Sequence, residues 1–320
     1  MKRIVVIGGG TGISTVGRAL KSLPFNLTFI VTITDDGGSS GLLRRDLSIP
    51  PPGDIRNNLI ALADDEELLT KIFSFRFRSP ELKNHSLGNL IIAGLTELLG
   101  SFPEAVAAAS RLLKINGTVL PVADGLVHLI GRLANGEHVV GETEVSRHGK
   151  EIIELMLDPE IEALPQVLEA IGAADAIFIG PGSLLTSIVP NFLVKGVKEV
   201  LQSSNAPKVF IANLVTQPGE TDGFSLRKHV EIVEKYSGIK LDKIYWTDVS
   251  KFTGKTLKRY IGKGYFPVIN DMKEDPRTVE LPGVEERLIV DNRRKKVLRH
   301  SQKDILFIAR DLKLVEECQE

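Results

Sequence analysis

Cysteine is almost missing from this chain: of 320 residues only Cys318, the third from the end, carries a thiol. A lone cysteine closes no disulfide and builds no cysteine metal site within the chain, which fits a reducing compartment. Charge of one sign is also missing. Forty basic and 41 acidic residues leave a net charge of −1, so bulk electrostatics makes no case for nucleic acid or a membrane surface. No stretch approaches the length of a membrane span. The apolar run at residues 4–7 is too short for a signal peptide and suits a first strand. These absences point to a cytoplasmic protein with no membrane insertion and no nucleic-acid partner. No internal repeat, low-complexity linker or legible domain boundary interrupts the sequence. Hydrophobic residues make up 42%, enough for a substantial core.

Short apolar runs alternate with longer periodic stretches, the mark of βαβ units around a mostly parallel sheet. Strands are expected at 3–7, 28–33, 176–179, 208–212 and 243–246. Helices are expected near 13–23, 55–64, 87–99, 103–113, 165–172, 184–201 and 225–236. Residues 118–145 break the alternation. They are rich in valine and turn residues, and Ala134-Asn135-Gly136 reads as a hairpin turn. An antiparallel excursion beside the main sheet is the reading. The stretch RLIVDNRRKKVLRH suggests another hairpin, followed by a helix from about 302 to 315 with Ser301 as N-cap and Asp304 in the capping-box position. The fold class is α/β, with all of 1–320 as one domain.

The chemistry begins at IVVIGGGTGISTVG, residues 4–17, a strand, a glycine turn and a helix start. Gly9, Gly10, Thr11 and Gly12 supply the turn. The dinucleotide fingerprint G-x-G-x-x-G fails in both frames, at Thr15 or at Ile13. The P-loop fails because Arg18-Ala19 follow the second glycine. What remains is a generic anion cradle, in which glycines admit a close ligand and helix N–H groups favour negative charge.

Similar devices recur. TDDGGSSG, after the second strand, offers Asp35 and Asp36 for ribose hydroxyls or as oxygen ligands of a divalent ion, with Ser39 and Ser40 behind them. An ordinary Asx turn is the structural alternative. In PPPGDIRNN, Asp54 suffices as a helix cap, but capping does not account for Arg56, Asn57 and Asn58 together. NHSLGN supplies Ser86 as an N-cap, Gly88 and Asn89 in the first turn, and His85 as an acid/base candidate against a plain hydrogen-bonding role. GPGSLLTS, with Gly180, Gly182, Ser183 and Thr186, makes a second cradle. Asn213 and the TQPGETDG loop, with Thr216, form a long polar segment able to close over a ligand, with an ordinary surface loop as the structural alternative. Two facing cradles suit a diphosphate or two phosphorylated ligands. No Ser-His-Asp order, metal-histidine spacing or C-x-x-C emerges. The motifs are rich in neutral hydrogen-bonding groups, which favours binding over proton transfer and assigns no catalytic residue. Group transfer stays open, since positioning and a metal can suffice for it.

Taken in order, GGGTG, TDDGGSSG, PPGDIRN, HSLGN, GPGSLLTS and TQPGETDG resemble the YvcK-type gluconeogenesis factor family, whose relatives are the CofD 2-phospho-lactate transferases. The resemblance runs from residue 4 to about 300. It implies a Rossmann-like three-layer α/β/α fold in the cytoplasm. It also implies binding of a nucleotide diphosphate sugar such as UDP-N-acetylglucosamine, and a part in gluconeogenic growth, cell shape and cell-wall metabolism. A protein partner in cell-wall synthesis and a homo-oligomer are compatible with it. No cofactor is required on this branch. The rival branch is a transferase that moves a phospho-lactyl group from a guanosine diphosphate carrier to a deazaflavin with Mg2+, where Asp35 and Asp36 would hold the metal. An arginine before a histidine is tied to UDP-sugar binding in the YvcK branch; here it is Arg299 before His300, followed by Ser301 where the family often has an acid.

Overall fold

The computed structural model describes residues 1–320 except 78, 80, 81, 83, 84, 253, 291–293 and 316–320. Asn84 of the fourth motif, the turn of the C-terminal hairpin and Cys318 thus lie outside the described residues. The strands are β1 (Lys2–Gly8), β2 (Phe25–Val31), β3 (Thr118–Pro121), β4 (His128–Leu133), β5 (His138–Val140), β6 (Ile152–Asp158), β7 (Ala176–Ile179), β8 (Lys208–Ile211), β9 (Lys243–Trp246), β10 (Thr278–Glu280), β11 (Val284–Val290) and β12 (Arg294–His300). The helices are α1 (Gly10–Leu20), α2 (Gly38–Leu47), α3 (Gly53–Leu62), α4 (Glu66–Phe73), α5 (Leu87–Leu99), α6 (Phe102–Leu112), α7 (Glu142–Arg147), α8 (Pro165–Gly172), α9 (Val189–Phe192), α10 (Val197–Ser203), α11 (Leu226–Ser237), α12 (Lys255–Ile261) and α13 (Gln302–Asp311).

Seven strands form one sheet in the order β10-β9-β8-β7-β1-β2-β3, and every pairing in it is parallel. The centre is β1 beside β7. Ile4, Val5, Val6 and Ile7 pair with Ala176, Ile177, Phe178 and Ile179, and all eight are buried. An unbroken apolar run has no polar face to give to water, so both faces of the sheet must be covered by helices. Helix α1 does this on one face with Ile13, Val16 and Leu20, each wholly buried at helical spacing. Each such side chain contributes roughly 1.5–3 kcal/mol relative to exposure.

The chain runs from β1 outward to β2 and β3, then returns to β7 and proceeds the other way to β10. The order therefore reverses between β1 and β7, and the crevice at their carboxyl ends is where such a sheet binds ligands.

Three expectations need revision. Residues 118–121 are not part of an antiparallel excursion; β3 extends the main sheet beside β2. Four residues at a sheet edge are too few to show which kind of pairing they prefer. The antiparallel sheet is β5-β4-β6 and reaches Asp158, with the expected turn at Gly136. The helix expected over 184–201 is broken into a π-helical turn at Leu184–Ile188, then α9 and α10. Pro190 has no N–H to donate back and clashes with the carbonyl of the preceding turn, and Gly196 adopts φ +90° between the two helices. The last helix stops at Asp311, although its capping box forms as expected: Asp304 N–H donates to Ser301 Oγ at 3.1 Å, and Ser301 N–H to Asp304 Oδ2 at 2.8 Å. The C-terminal hairpin is β11 against β12.

Candidate functional site

At the end of β1 the chain turns into α1 with no side-chain cap at Gly9, so the N–H groups of its first turn are left for other partners. Gly10 stands at φ +64°, a left-handed conformation that glycine adopts without strain. Gly12 meets a harder constraint. A Cβ there would lie 2.1 Å from the Pro181 carbonyl oxygen, so the turns after β1 and β7 pack backbone to backbone. The second turn is held from behind. Gly182 N–H donates to Asn213 Oδ1 at 3.1 Å, from the end of β8. Ser183 Oγ donates to Glu220 Oε2 at 2.7 Å and Leu185 N–H to Glu220 Oε1 at 2.7 Å. Glu220 is buried, which raises its carboxyl, while the donors from Ser183 and Leu185 oppose the shift.

These turns form the floor of a cleft of about 360 Å³. Its far wall is the end of β12: Leu298, Arg299 and His300. Arg299 donates through Nη2 to Thr11 Oγ1 at 3.0 Å, which ties the C-terminal hairpin to the first turn. His300 lies buried behind it, and Nε2 donates to the Ala212 carbonyl at 2.9 Å. Burial, with the Arg299 charge adding to it, pushes His300 down to about 4, so the ring is neutral at physiological pH. Tyr260 and Tyr265 also line the cleft, with ring centroids 5.2 Å apart and planes at 61°. Each ring offers a flat apolar face with a polar rim, suited to a base or sugar face.

One wall is acidic. Asp35, Asp54 and Glu142 all line the cleft. Removal from water raises Asp35. The same cause, with the Asp35 charge second, pushes Asp54 up to about 7 although it accepts a hydrogen bond from Gly10 N–H. Glu142 is held well above the usual carboxylate range, first by burial and then by Asp35 and Asp54, against a hydrogen bond from Thr186 Oγ1 at 3.1 Å.

The sequence-derived candidates divide. Gly9, Gly10, Thr11, Gly12, Asp35, Gly182, Ser183, Asn213 and Arg299 come together in the cleft. The others stand behind it or away from it. Asp36 accepts from Thr143 N–H at 3.1 Å and Thr143 Oγ1 at 2.9 Å, so its carboxylate serves the start of α7 and is not paired with Asp35. Ser40 accepts from Gly53 N–H at 3.1 Å. Ser39, His85, Asn89, Asn57 and Arg56 form a polar brace between helices: Asn89 Nδ2 donates to Ser39 Oγ at 3.1 Å, and Ser39 Oγ lies 3.2 Å from His85 Nδ1. Arg56 donates to Asn89 Oδ1 at 3.0 Å and Asn57 Oδ1 at 2.9 Å. His85 is thus a hydrogen-bonding member of the brace. Asn58 Nδ2 donates to the Asp54 carbonyl at 2.9 Å within α3. Gly88 is a packing requirement, since a Cβ would meet Phe73 at 2.5 Å. Gly180 leads into the second turn, Thr186 supports Glu142, and Thr216 accepts from Phe266 N–H at 3.1 Å. Among the described residues, no group of three or more His, Cys, Asp or Glu side chains is disposed to hold a metal ion.

Sequence reading missed Glu142, Glu220, Gln217, Tyr260 and Tyr265, and it explained Asp54 as a helix cap, whereas α3 starts at Gly53 with no side-chain cap and Asp54 lines the cleft. Glu220 and Gln217 sit inside the quoted TQPGETDG loop and could have been singled out there. The tyrosines flank Gly262-Lys263-Gly264, outside the six quoted motifs, and Glu142 starts a short helix after a strand of the small sheet.

The family described as 2-phospho-L-lactate transferase CofD matches residues 4–289. A putative gluconeogenesis factor of Thermotoga maritima is 49% identical over 263 residues, 82% of this chain and 83% of that one. The gluconeogenesis factor of Bacillus subtilis is 39% identical over 312 residues, 97% and 98% of the two chains. A crystal structure of a Bacillus halodurans protein of the UPF0052 family superposes with a TM-score of 0.88 at 40% identity, covering 96% of this chain and 99% of that one.

Proposed function

The chain belongs to the CofD family, among the gluconeogenesis factors, and on this premise we propose that its cleft binds a nucleotide diphosphate sugar. The ligand class is a UDP-sugar such as UDP-N-acetylglucosamine. The protein acts as a cytoplasmic regulator whose occupied state supports gluconeogenic growth, cell shape and cell-wall metabolism. Among the described residues no helix is long and apolar enough to cross a membrane, which is compatible with that place.

One observation carries the reading: the two glycine turns meet across a single cleft at the switch point, with Arg299 at their junction. The diphosphate lies over the N–H groups of the α1 turn, with Arg299 as its cation. The tyrosine pair takes the base or the sugar. Asn213 spends its oxygen on Gly182 N–H and so fixes the second turn beneath the ligand.

A second reading is favoured by the acidic wall. A magnesium-dependent transferase of the CofD kind would hold its ion on oxygen ligands, and Asp35 with Asp54 are the carboxylates placed for it in the cleft. A thermal-shift screen separates the two. UDP-sugars, GDP and deazaflavin are compared with and without magnesium and with EDTA. A ligand at 100 times its dissociation constant stabilises by roughly 2.7 kcal/mol. The regulator reading expects UDP-sugar stabilisation that survives EDTA. Stabilisation by GDP or by the deazaflavin that needs magnesium, and is abolished by EDTA, supports the second.

A further inference from the structure

The net charge of −1 conceals a local imbalance. From 249 to 270 the chain carries Lys251, Lys255, Lys258, Arg259 and Lys263 and not one acidic residue. This stretch runs through α12 and the loop that follows it, and its Tyr260 and Tyr265 line the cleft. Thr256 and Leu257 are the inward residues of α12, while Lys255, Lys258 and Lys263 are exposed. Among the described residues these three lysines have no ion-pair partner. Of the acids flanking the stretch, Glu280 and Asp248 hold Lys251, Glu286 holds Lys296 and Asp271 holds Arg227.

The same stretch exposes large apolar side chains. Ile261 is 42% exposed, Phe266 50% and Ile269 61%. The chain doubles back after α12, with Tyr265 N–H donating to the Tyr260 carbonyl at 3.1 Å, so the residues after the helix fold against its end. Arg259 donates to the Lys296 carbonyl, which joins α12 to the basic strand β12. Lys255, Lys258 and Ile261 recur at three-residue spacing and are all exposed, so basic and apolar side chains share one face of α12, and Phe266 and Ile269 are exposed in the segment that follows it.

We propose that this surface docks on an anionic lipid bilayer, with the lysines on the headgroups and Ile261, Phe266 and Ile269 in the interfacial layer. Peripheral attachment of this kind combines basic charge with shallow apolar insertion. The aliphatic component argues for lipid over RNA. An exposed isoleucine gives nothing to a phosphate chain and offers no ring for a base to stack on, whereas both kinds of side chain suit the bilayer boundary. Attachment here brings Tyr260 and Tyr265, which line the cleft, toward the headgroup layer. The docking does not depend on which ligand the cleft takes.

The test is flotation of the full chain with vesicles of phosphatidylcholine alone, or of phosphatidylcholine mixed with phosphatidylglycerol. The expected result is flotation with the mixed vesicles only, weakening as salt is raised. A basic residue near an anionic surface contributes about 1 kcal/mol, so the Lys255→Glu, Lys258→Glu double variant should lose at least about fivefold in partitioning for each site. Phe266→Ser should weaken flotation without changing its salt dependence. Circular dichroism and the melting temperature establish that both variants are folded. The proposal is overturned if the chain does not float with anionic vesicles, if the charge-reversed variant floats equally well, or if single-stranded RNA captures the chain when vesicles do not.

Discussion

Arg299 and Thr11, at opposite ends of the chain, meet at 3.0 Å between Nη2 and Oγ1. The contact places a guanidinium at the start of α1, where the first-turn N–H groups already favour an anion. The cation belongs to a hairpin strand and the N–H groups to the central sheet, so an anion bound between them links the two.

Arg299→Ala should therefore weaken a nucleotide diphosphate sugar and leave the fold largely intact. A charge-assisted hydrogen bond is worth roughly 1.5–3 kcal/mol, or about tenfold to a hundredfold in affinity. Arg299→Lys should recover part of that loss, because the charge returns without the guanidinium fork. Calorimetric titration of both variants checks this, and unchanged affinity in Arg299→Ala removes the residue from the site.

Gly12→Ala should do more than block a ligand. Its Cβ would collide with the Pro181 carbonyl, and backbone cannot swing aside as a flexible side chain does. The two turns must separate, at a cost of roughly 1–3 kcal/mol. A lower melting temperature together with lost binding is expected. A variant as stable as the parent would show that the turns are not packed on each other.

Asn213→Ala tests whether that side chain serves the turn or reads the sugar. Its oxygen holds Gly182 N–H, so its loss should loosen the second cradle and weaken UDP and a UDP-sugar by similar factors. Losing the bond should also lower stability by roughly 0.5–1.5 kcal/mol. A loss confined to the sugar-bearing ligand would assign Asn213 to sugar recognition.

Asp54 gives a pH signature. Its carboxyl is pushed up to about 7 from the ordinary 3.8, so between those values the folded chain holds a proton that the unfolded chain has released. Stability from this group is complete below pH 4, declines as pH rises and levels off above 7. Asp54→Asn removes the term while keeping an oxygen for Gly10 N–H. The stability difference between variant and parent should grow in favour of the variant as pH rises from 4 to 7, and relief of the Asp54 charge on Glu142 adds in the same direction. Subtracting the parent curve cancels the opposing contribution of His300, which titrates over an overlapping range. A pH-independent difference in denaturant unfolding would contradict the assignment.

The central strands were legible because runs such as IVVI and AIFI, closed by glycine, admit few other structures, and the glycine turns located the cleft. The division of labour within each motif was not legible. Asp35 and Asp36 are neighbours in sequence, but successive residues point different ways, and only Asp35 reaches the cleft. Ser39, Asn57 and Asn89 look like ligand groups in sequence because amides and hydroxyls serve a buried brace equally well. Tyr260 and Tyr265 were invisible for another reason. Their place beside the cleft depends on α12 packing near β12, a long-range contact that no local pattern encodes.

The most direct test of the account is calorimetric titration of UDP-N-acetylglucosamine into the full chain, run with EDTA and repeated on Tyr265→Ala and Tyr265→Phe. The account predicts saturable binding at one site per chain without a divalent ion, lost in the alanine variant and retained in the phenylalanine variant, since the ring and not the hydroxyl forms the platform. Absence of binding to any UDP-sugar, or equal affinity in Tyr265→Ala, would contradict it.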